Sequence, residues 1–517
     1  MESWSKNRIG KMQLSKGTLR NIPAASGVVI PGEDVFSLPE KVLQFGTGVL
    51  LRGLPDYFID KANRQGIFNG RIVVVKSTAM GTTDEFEKQD NLYTLCVRGV
   101  DAGNKVEQFI INSSISRVLS ASGEWSSILK CARNPEMKII ISNTTEIGIA
   151  LTKDDVHASP PHSFPGKLLS FLFARYNAFG GAEGTGMIII PTELVVHNGA
   201  KLRSVVLELA AMNDLNEDFI DWLKSANYFC SSLVDRIVPG KLRHDDKMAT
   251  EQTLGYKDAL MIMAENFGLW AIETDNRKVR EALSFARADE GVVIQPDIEI
   301  FRELKLRLLN GTHSFSCGLA LLSGYQTVKE AMADAHFLVF VKGLAQSEIA
   351  VAMSDDNISY ADACDFAGKT IDRFRNPFID HPWVNIAVQY TEKMKQRNIP
   401  LLLKYYQKYS HVPEFMALGF AAFLLFMKSH KNAQNFIGTA DGIQYVVHDD
   451  HAQYFADRWT NDASDAVDQI LRDEQFWGTD LSLLNGFADA VKRNVFLLIQ
   501  HGAKSMIQQM EFTKTIV

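Results

Sequence analysis

Four short runs of β-branched and other apolar residues, each followed by helical sequence, most constrain how this chain folds. "KVLQFGTGVLLRGLPDYFIDKAN" joins an apolar strand, a glycine turn and an amphipathic helix, and "RIVVVKST" supplies a second strand about one helix later. "MKIIISNTTE", after Asn134 and Pro135, and "GMIIIPTELV", from Gly186, repeat the pattern. Nearly continuous apolar strands offer no polar face to water, so such a sheet must be covered on both sides. Strands alternating with helices then dictate a parallel, doubly wound α/β arrangement.

From about Pro296 the strand signals stop. The periodicity predicts long helices over 298–324, 327–353, 358–372, 384–407 and 413–429, with helix continuing to the end. A chain of 517 residues is too long for one core, so at least two domains are expected. The expected organisation is an N-terminal extension over 1–37, a doubly wound domain over 38–295 and a mostly helical domain over 296–517. The extension is polar and punctuated by Gly and Pro, and reads as surface. The most apolar run, "FMALGFAAFLLFM" at 415–427, is too short to span a bilayer and reads as a core helix.

A net charge of −7 and a pI near 6.0 leave no basic excess for nucleic acid, which points to small-molecule partners. Cys96, Cys131, Cys230, Cys317 and Cys364 are scattered singly, without a CxxC pair, and fit reduced thiols better than a disulfide framework or a zinc site. "MESWSKNRIGKMQLSKG" lacks the apolar segment of a signal peptide, which predicts a cytoplasmic protein with no membrane association. No basic or aromatic stripe marks a protein partner.

In "VLQFGTGVLLRG", Gly46 and Gly48 end a strand and open a helix, where free backbone N–H groups and the helix dipole favour phosphate. The candidate dinucleotide contact is the whole stretch Val42, Leu43, Gln44, Phe45, Gly46, Thr47, Gly48, Val49, Leu50, Leu51, Arg52 and Gly53. A GxGxxG pattern would place a third glycine at 51, where Leu51 stands, and Gly53 comes two residues late. The alternative is a tight strand-to-helix turn with no ligand. Lys76 stands where a ribose-binding acid would strengthen the case; it fits either a 2′-phosphate or a surface cap, so these residues leave NAD and NADP both open.

"KLRLLNGTH" at 305–313 places three polar residues in an apolar helix. With about 100° of rotation per residue, Asn310 sits about 140° and His313 about 80° around the axis from Lys305. One arc holds all three, and such an arc on an apolar helix suits a cleft better than bulk solvent.

Together, "FGTGVLLRG", "SNTTEIG" at 142–148, "SSLVDRIVPG" at 231–240, "KLRLLNGTH" and "DRFRNPFIDH" at 372–381 resemble the polyol-specific long-chain dehydrogenases, the family that includes mannitol 2-dehydrogenase. The resemblance covers nearly the whole chain, and K-x4-N-x2-H is its most specific part. "SNTTEIG", "PTELVVHNG" and "RFRNPFI" are most similar to the branch that reduces hexuronates. It implies an N-terminal Rossmann-type domain, a mostly helical C-terminal domain, substrate between them, and hydride transfer with NAD(H) and no metal. The implied reaction is D-tagaturonate with NADH giving D-altronate and NAD, in hexuronate catabolism.

Carried over residue by residue, the resemblance makes Lys305 the acid–base catalyst and Asn310 and His313 the groups that polarise the carbonyl. Asn143 joins the cofactor contacts. In the "PTELVVHNG" loop, with Glu193 and Asn198 as substrate candidates, Glu193 stands where polyol members place a second oxyanion-binding asparagine, so a two-asparagine oxyanion site does not carry over. Asp235, Arg373 and Asn376 match sugar-contacting positions. Arg375 is expected to hold the hexuronate carboxylate, because guanidinium binds carboxylate bidentately; Arg373 and His381 are the alternatives.

His157, His162, His336, His448, His451 and His501 are given no role, and "VVHDDH" at 446–451 reads as a solvated loop rather than a metal site. Two sister readings stay open, a fructuronate reductase and a mannitol-type polyol dehydrogenase. A non-catalytic dinucleotide-binding regulator is a third, opposed by the joint presence of Lys305, Asn310 and His313.

Overall fold

The computed structural model describes residues 12–78, 82–144, 146–440, 442–460 and 462–509. By internal contacts the chain forms two units, Met1–Arg98 with Val106–Ile298, and Gly99–Lys105 with Glu299–Val517.

The first unit is built on strands β1 (Glu40–Phe45), β2 (Arg71–Lys76), β3 (Tyr93–Asp101), β4 (Asn104–Asn112), β5 (Ile115–Ser120), β6 (Ile139–Ser142), β7 (Ile188–Pro191) and β8 (Tyr228–Phe229). Six of them form one sheet in the order β5-β2-β1-β6-β7-β8, with every neighbouring pair parallel. The chain winds outward from β1 to β5, returns to the centre and winds the other way. Strand order therefore reverses between β1 and β6, the switch point at which ligands bind outside the carboxyl edge of such sheets.

Side chains alternate between two cores. Val42, Ile72, Val74, Ile139 and Ile141 enter one with the helix Pro55–Arg64; Leu43, Phe45, Val73, Val75 and Ile140 enter the other with Trp125, Phe171, Leu202 and Trp222. Burial on both faces explains why these strands read as unbroken apolar runs.

The segment before β1 differs from a surface extension. Leu14, Leu19, Ile22 and Val35 are buried, Leu14 N–H donates to the Lys257 carbonyl at 3.0 Å, and Val29 pairs with Ile110. Four apolar anchors, diluted by polar neighbours, hold it down. Residues 1–11, where the absence of a signal segment was read, lie outside the described residues.

In the second unit the helices Glu299–Glu303 and Asn310–Leu322 are joined by a π-helical segment, Leu304–Leu309; two more π segments lie at Gly343–Ile349 and Met394–Asn398. The helix Glu414–Met427 is buried almost all round, as its unrelieved apolarity requires. The stretch Ala335–Met353 is long and apolar enough by composition to cross a membrane, but 56% of it is buried in the protein. An all-helical reading fails at one place: Ser429–Asn432, Asn435–Ala440 and Ile443–Val447 form an antiparallel three-stranded sheet. The strands are short and largely exposed, so they lack the apolar signal of the buried sheet.

Helices Asn310–Leu322 and Glu414–Met427 cross with backbones in contact. A Cβ on Gly419 would lie 2.6 Å from the Phe315 carbonyl oxygen, and one on Gly318 would lie 2.8 Å from that of Ala422. Gly419→Ala is expected to destabilise the protein by about 1–3 kcal/mol, the usual cost of overpacking. Gly368→Ala, in a helix where a Cβ meets nothing within 4 Å, should be neutral or stabilising by up to about 1 kcal/mol. Urea unfolding midpoints compare the two; equal midpoints would mean that the crossing tolerates separation.

Candidate active site

The carboxyl edge of the large sheet gathers the loops after β1, β2, β6 and β7. Gly46 has φ +129°, and a Cβ there would lie 2.9 Å from Leu51 Cδ1 and 3.1 Å from the Asn143 carbonyl oxygen. The protein itself therefore demands a glycine at 46. At Gly48, exposed and extended at φ −60°, a Cβ meets nothing within 4 Å. Among the described residues nothing requires a glycine at 48.

The following helix is short, Val49–Gly53, and breaks at Leu54 before Pro55–Arg64 begins. Its macrodipole is correspondingly small, and backbone N–H groups remain the feature a phosphate would use. Of the candidate stretch, Val42, Leu43, Phe45 and Leu51 are buried in the cores, and Val49 and Leu50 pack against one of them. Gln44 is buried beneath the turn. Arg52 turns inward, donating to the Leu260 carbonyl at 2.8 Å and lying over the rings of Phe86 and Tyr93. Gly53 is tightly packed against Val238. Only Gly46, Thr47 and Gly48 stay at the surface edge of the loop, because the strand and helix on either side bury their side chains.

Lys76 is buried at the end of β2 and donates to the carbonyl of Thr78. Asn143 donates its amide to the Thr192 carbonyl and hydroxyl at 3.2 and 3.0 Å, and Thr145 lies outside the described residues. Glu193 accepts from the Thr144 N–H at 2.8 Å, from its hydroxyl at 3.0 Å and from Ser142 Oγ at 3.2 Å. A carboxylate so engaged pins the loop after β6 and has no proton to donate to an oxyanion. Asn198 is wholly buried: its amide donates to the carbonyls of Pro191, Glu193 and Ser232, and its oxygen accepts from Ser232 N–H. Asn198 is thus committed to the backbone, where it fastens β7 to the strand Ser232–Asp235. Asp235 ends that strand and is buried.

Lys305 lies within the π segment Leu304–Leu309 and Asn310 follows it directly; Asn310 N–H donates to the Lys305 carbonyl five residues back. A rotation of 100° per residue therefore overstates the angle between them: the wider π turn swings Asn310 back towards the side of Lys305. Single π turns inside α-helices recur at functional sites. His313 follows Asn310 by three residues in regular α-helix, which sets the two side chains on one face. The Asn310 side chain makes no hydrogen bond among the described residues.

His313 is buried, its ring stacked on Phe374 at 3.8 Å with Trp383 edge-on at 6.0 Å and His381 at 5.2 Å. Its Nε2 has no hydrogen-bond partner among the described residues. Burial first, then electrostatic repulsion from His381, Arg373, Arg397 and Lys393, push its pKa well below the usual value, so the imidazole is neutral. Arg397 reaches Ser314 Oγ at 3.3 Å, and Lys393 donates to the Ile386 carbonyl at 2.8 Å. Neither drew attention in the sequence, where "EKMKQRN" looks like an ordinary solvated helix face.

Arg373 and Asn376 are buried near the end of helix Tyr360–Phe374. Arg375 stands apart, half-buried at the helix cap, 3.9 Å from Asp372 and beside Gly103. The structure thus brings Arg373, not Arg375, to bear on His313. In the 446–451 loop, Asp449 accepts from Thr391 and His451 N–H groups, Asp450 accepts from Gln389, and His451 meets Glu392 at 3.0 Å. These contacts fasten the loop to the segment 389–392.

Residues 40–284 match the mannitol dehydrogenase Rossmann domain, and residues 297–498 match the mannitol dehydrogenase C-terminal domain. Altronate oxidoreductase of Bacillus subtilis (strain 168) is 35% identical over 460 residues, covering 88% of this chain and 91% of that protein. Among solved structures, mannitol 2-dehydrogenase of Pseudomonas fluorescens, a ternary complex with NAD and D-mannitol, aligns with a TM-score of 0.62 at 22% identity over 96% of this chain and 99% of that one. A D-sorbitol dehydrogenase in substrate-free form aligns with a TM-score of 0.71 at 18% identity over 96% and 100%. At those identities the structural likeness concerns the fold.

The two glycines of the turn should separate folding from binding. Gly46→Ala, at positive φ and without room, is expected to cost more than about 1 kcal/mol of stability. Gly48→Ala should leave the melting temperature unchanged and weaken dinucleotide binding, measured by NADH fluorescence titration. Unchanged affinity in Gly48→Ala would remove the turn from the cofactor site.

Proposed function

The chain belongs to the mannitol dehydrogenase family, and on that premise we propose that it reduces D-tagaturonate to D-altronate, reversibly, with a nicotinamide dinucleotide as redox partner. The observation that carries an acid substrate over a neutral polyol is the set of positive groups acting on His313, namely Arg373, Arg397 and Lys393. A sugar carboxylate entering this field gains charge-assisted hydrogen bonds that a polyol does not offer. The full-length similarity to an altronate oxidoreductase supports the same substrate. NAD(H) is the proposed form of the cofactor on the family resemblance, against the hint from Lys76, whose ammonium donates to the Thr78 carbonyl and keeps further N–H groups.

The dinucleotide, when bound, supplies or accepts the hydride. Lys305 donates a proton to the substrate oxygen as ketone becomes alcohol, and removes it in the reverse direction. Asn310 donates its amide N–H to that oxygen. His313, kept neutral by burial, donates a ring N–H from the nitrogen that has no partner among the described residues. Two donors aimed at one oxygen stabilise the alkoxide-like charge as hydride arrives, and Glu193, acceptor-only and engaged elsewhere, takes no part in them. We assign the carboxylate to Arg373 in preference to Arg375.

A panel assay tests the substrate: NADH and NADPH oxidation with D-tagaturonate, D-fructuronate and D-fructose. D-Tagaturonate with NADH should give the highest kcat/KM; faster turnover of fructuronate or fructose would transfer the chain to a sister activity. In the same panel Arg373→Ala should cost about 2–5 kcal/mol on the ketouronate and much less on fructose, as for loss of a desolvated charge partner. Equal losses on both substrates would return the carboxylate to Arg375.

Lys305→Met keeps most of the side-chain length and removes the proton. Its kcat should fall at least ~10²-fold with dinucleotide affinity nearly unchanged, as expected for lost general acid–base catalysis. A kcat near that of the wild type would assign the proton to another group.

A further inference from the structure

Behind the glycine turn lies a buried polar pair that the chemistry above does not use. Gln44, on β1, and Asp56, in helix Pro55–Arg64, are both wholly buried, yet among the described residues Gln44 Oε1 and Asp56 Oδ1 have no hydrogen-bond partner. The Gln44 amide nitrogen lies 3.3 Å from the Gly46 carbonyl oxygen and 3.4 Å from Asp56 Oδ2. Both of its N–H groups therefore have an acceptor, and what the pair lacks is a donor for its two remaining oxygens. An ionised carboxylate cannot provide one, being an acceptor only; a protonated one carries an O–H that Gln44 Oε1 can accept. One proton thus satisfies both orphaned oxygens and closes an acid–amide ring against the turn. Arg52, the nearest cation on the adjoining helix, is drawn away by the Leu260 carbonyl and forms no ion pair with Asp56 among the described residues.

We propose that Asp56 is a positioning residue held as a neutral carboxylic acid, which braces Gln44 against the Gly46 carbonyl and keeps the turn shaped for the dinucleotide, so that dinucleotide affinity is lost in alkaline solution. Burial raises the Asp56 pKa to about 8; the Gln44 hydrogen bond and the Arg52 charge oppose the rise, and Asp60 adds to it. Tyr93, facing the group from β3, is itself pushed up by burial and stays neutral. Because the folded-state value lies above the ordinary one, the stabilising contribution is complete in acid and disappears as pH rises through about 8. Above that pH a buried charge replaces the O–H donor: the Gln44 amide N–H still reaches Asp56 Oδ2, but Gln44 Oε1 is left without a donor, and the turn relaxes.

The proposal rests on dinucleotide binding at this turn and is tested with the full-length protein and NADH alone. Affinity measured by fluorescence titration from pH 6.5 to 9.5 should fall at least about tenfold in the wild type, as binding restricted to the protonated form requires. Asp56→Asn, which keeps the shape and cannot ionise, should bind as well as the wild type at pH 7 and show no such fall. Calorimetry in buffers of different ionisation heat provides a second readout on the unmodified protein: near pH 9, NADH binding should take up close to one proton. A flat wild-type profile, an equal fall in Asp56→Asn, or no proton uptake would overturn the role of Asp56 while leaving the cofactor assignment intact. Absence of NADH binding at every pH would remove both.

Discussion

A parallel sheet buried on both faces is the constraint from which the first unit follows. Strands β2, β6 and β7 are buried along their whole length and have no side that water can serve, so helices must lie above and below the sheet, and every connection between strands must cross back over an end. The loops at the carboxyl edge are what such crossings leave exposed. There the turn after β1, the loop after β6 that holds Asn143 and the loop after β7 that carries Glu193 come together, with Phe45 paired to Ser142 where the strand order reverses. The ligand site is thus a by-product of the topology before any residue in it is chosen.

Burial also sets the chemistry. A side chain removed from water loses the solvation that favours its charged form, and the protein exploits this in opposite directions. His313, an ordinary titrating group in solution, becomes a neutral hydrogen-bond donor. Asp56 becomes a carboxylic acid able to donate where an anion could only accept, and Glu348, which caps the N-terminus of the helix Glu414–Met427 through two backbone N–H groups, is likewise pushed up to about 8. The cations around His313 reinforce its neutrality while keeping the surroundings attractive to an anion. One field therefore prevents the imidazole from charging and favours a substrate that carries a carboxylate.

How much of this was legible depends on whether the signal is local. The apolar strands and the glycine turn are local, and both lie where the residues placed them; the Lys305, Asn310 and His313 spacing is local too, but a π turn alters the angle it implied. The π turn is not local, because an extra residue in a helical turn leaves no mark on apolar periodicity. The same holds for Arg397 and Lys393, which lie about 80 residues beyond His313 in sequence and meet its helix only through packing. Asn198 shows the opposite failure: an Asn-Gly in a loop invites a functional reading, and only the four hydrogen bonds that commit it to the backbone reveal a structural one.

By itself the sequence determined the layer architecture and the strand that carries the turn, because hydrophobic period is a property of neighbours along the chain; the roles proposed for Lys305, Asn310 and His313 come from the family resemblance. The tertiary structure alone decided which arginine bears on His313, which glycine of the turn the protein itself requires, and which candidates were already consumed by the fold. Those outcomes depend on distances between segments far apart in sequence, on the loss of water around each group, and on whether a hydrogen-bonding atom has already found a partner. A residue's type states what it can donate or accept; only packing states what is left for a ligand.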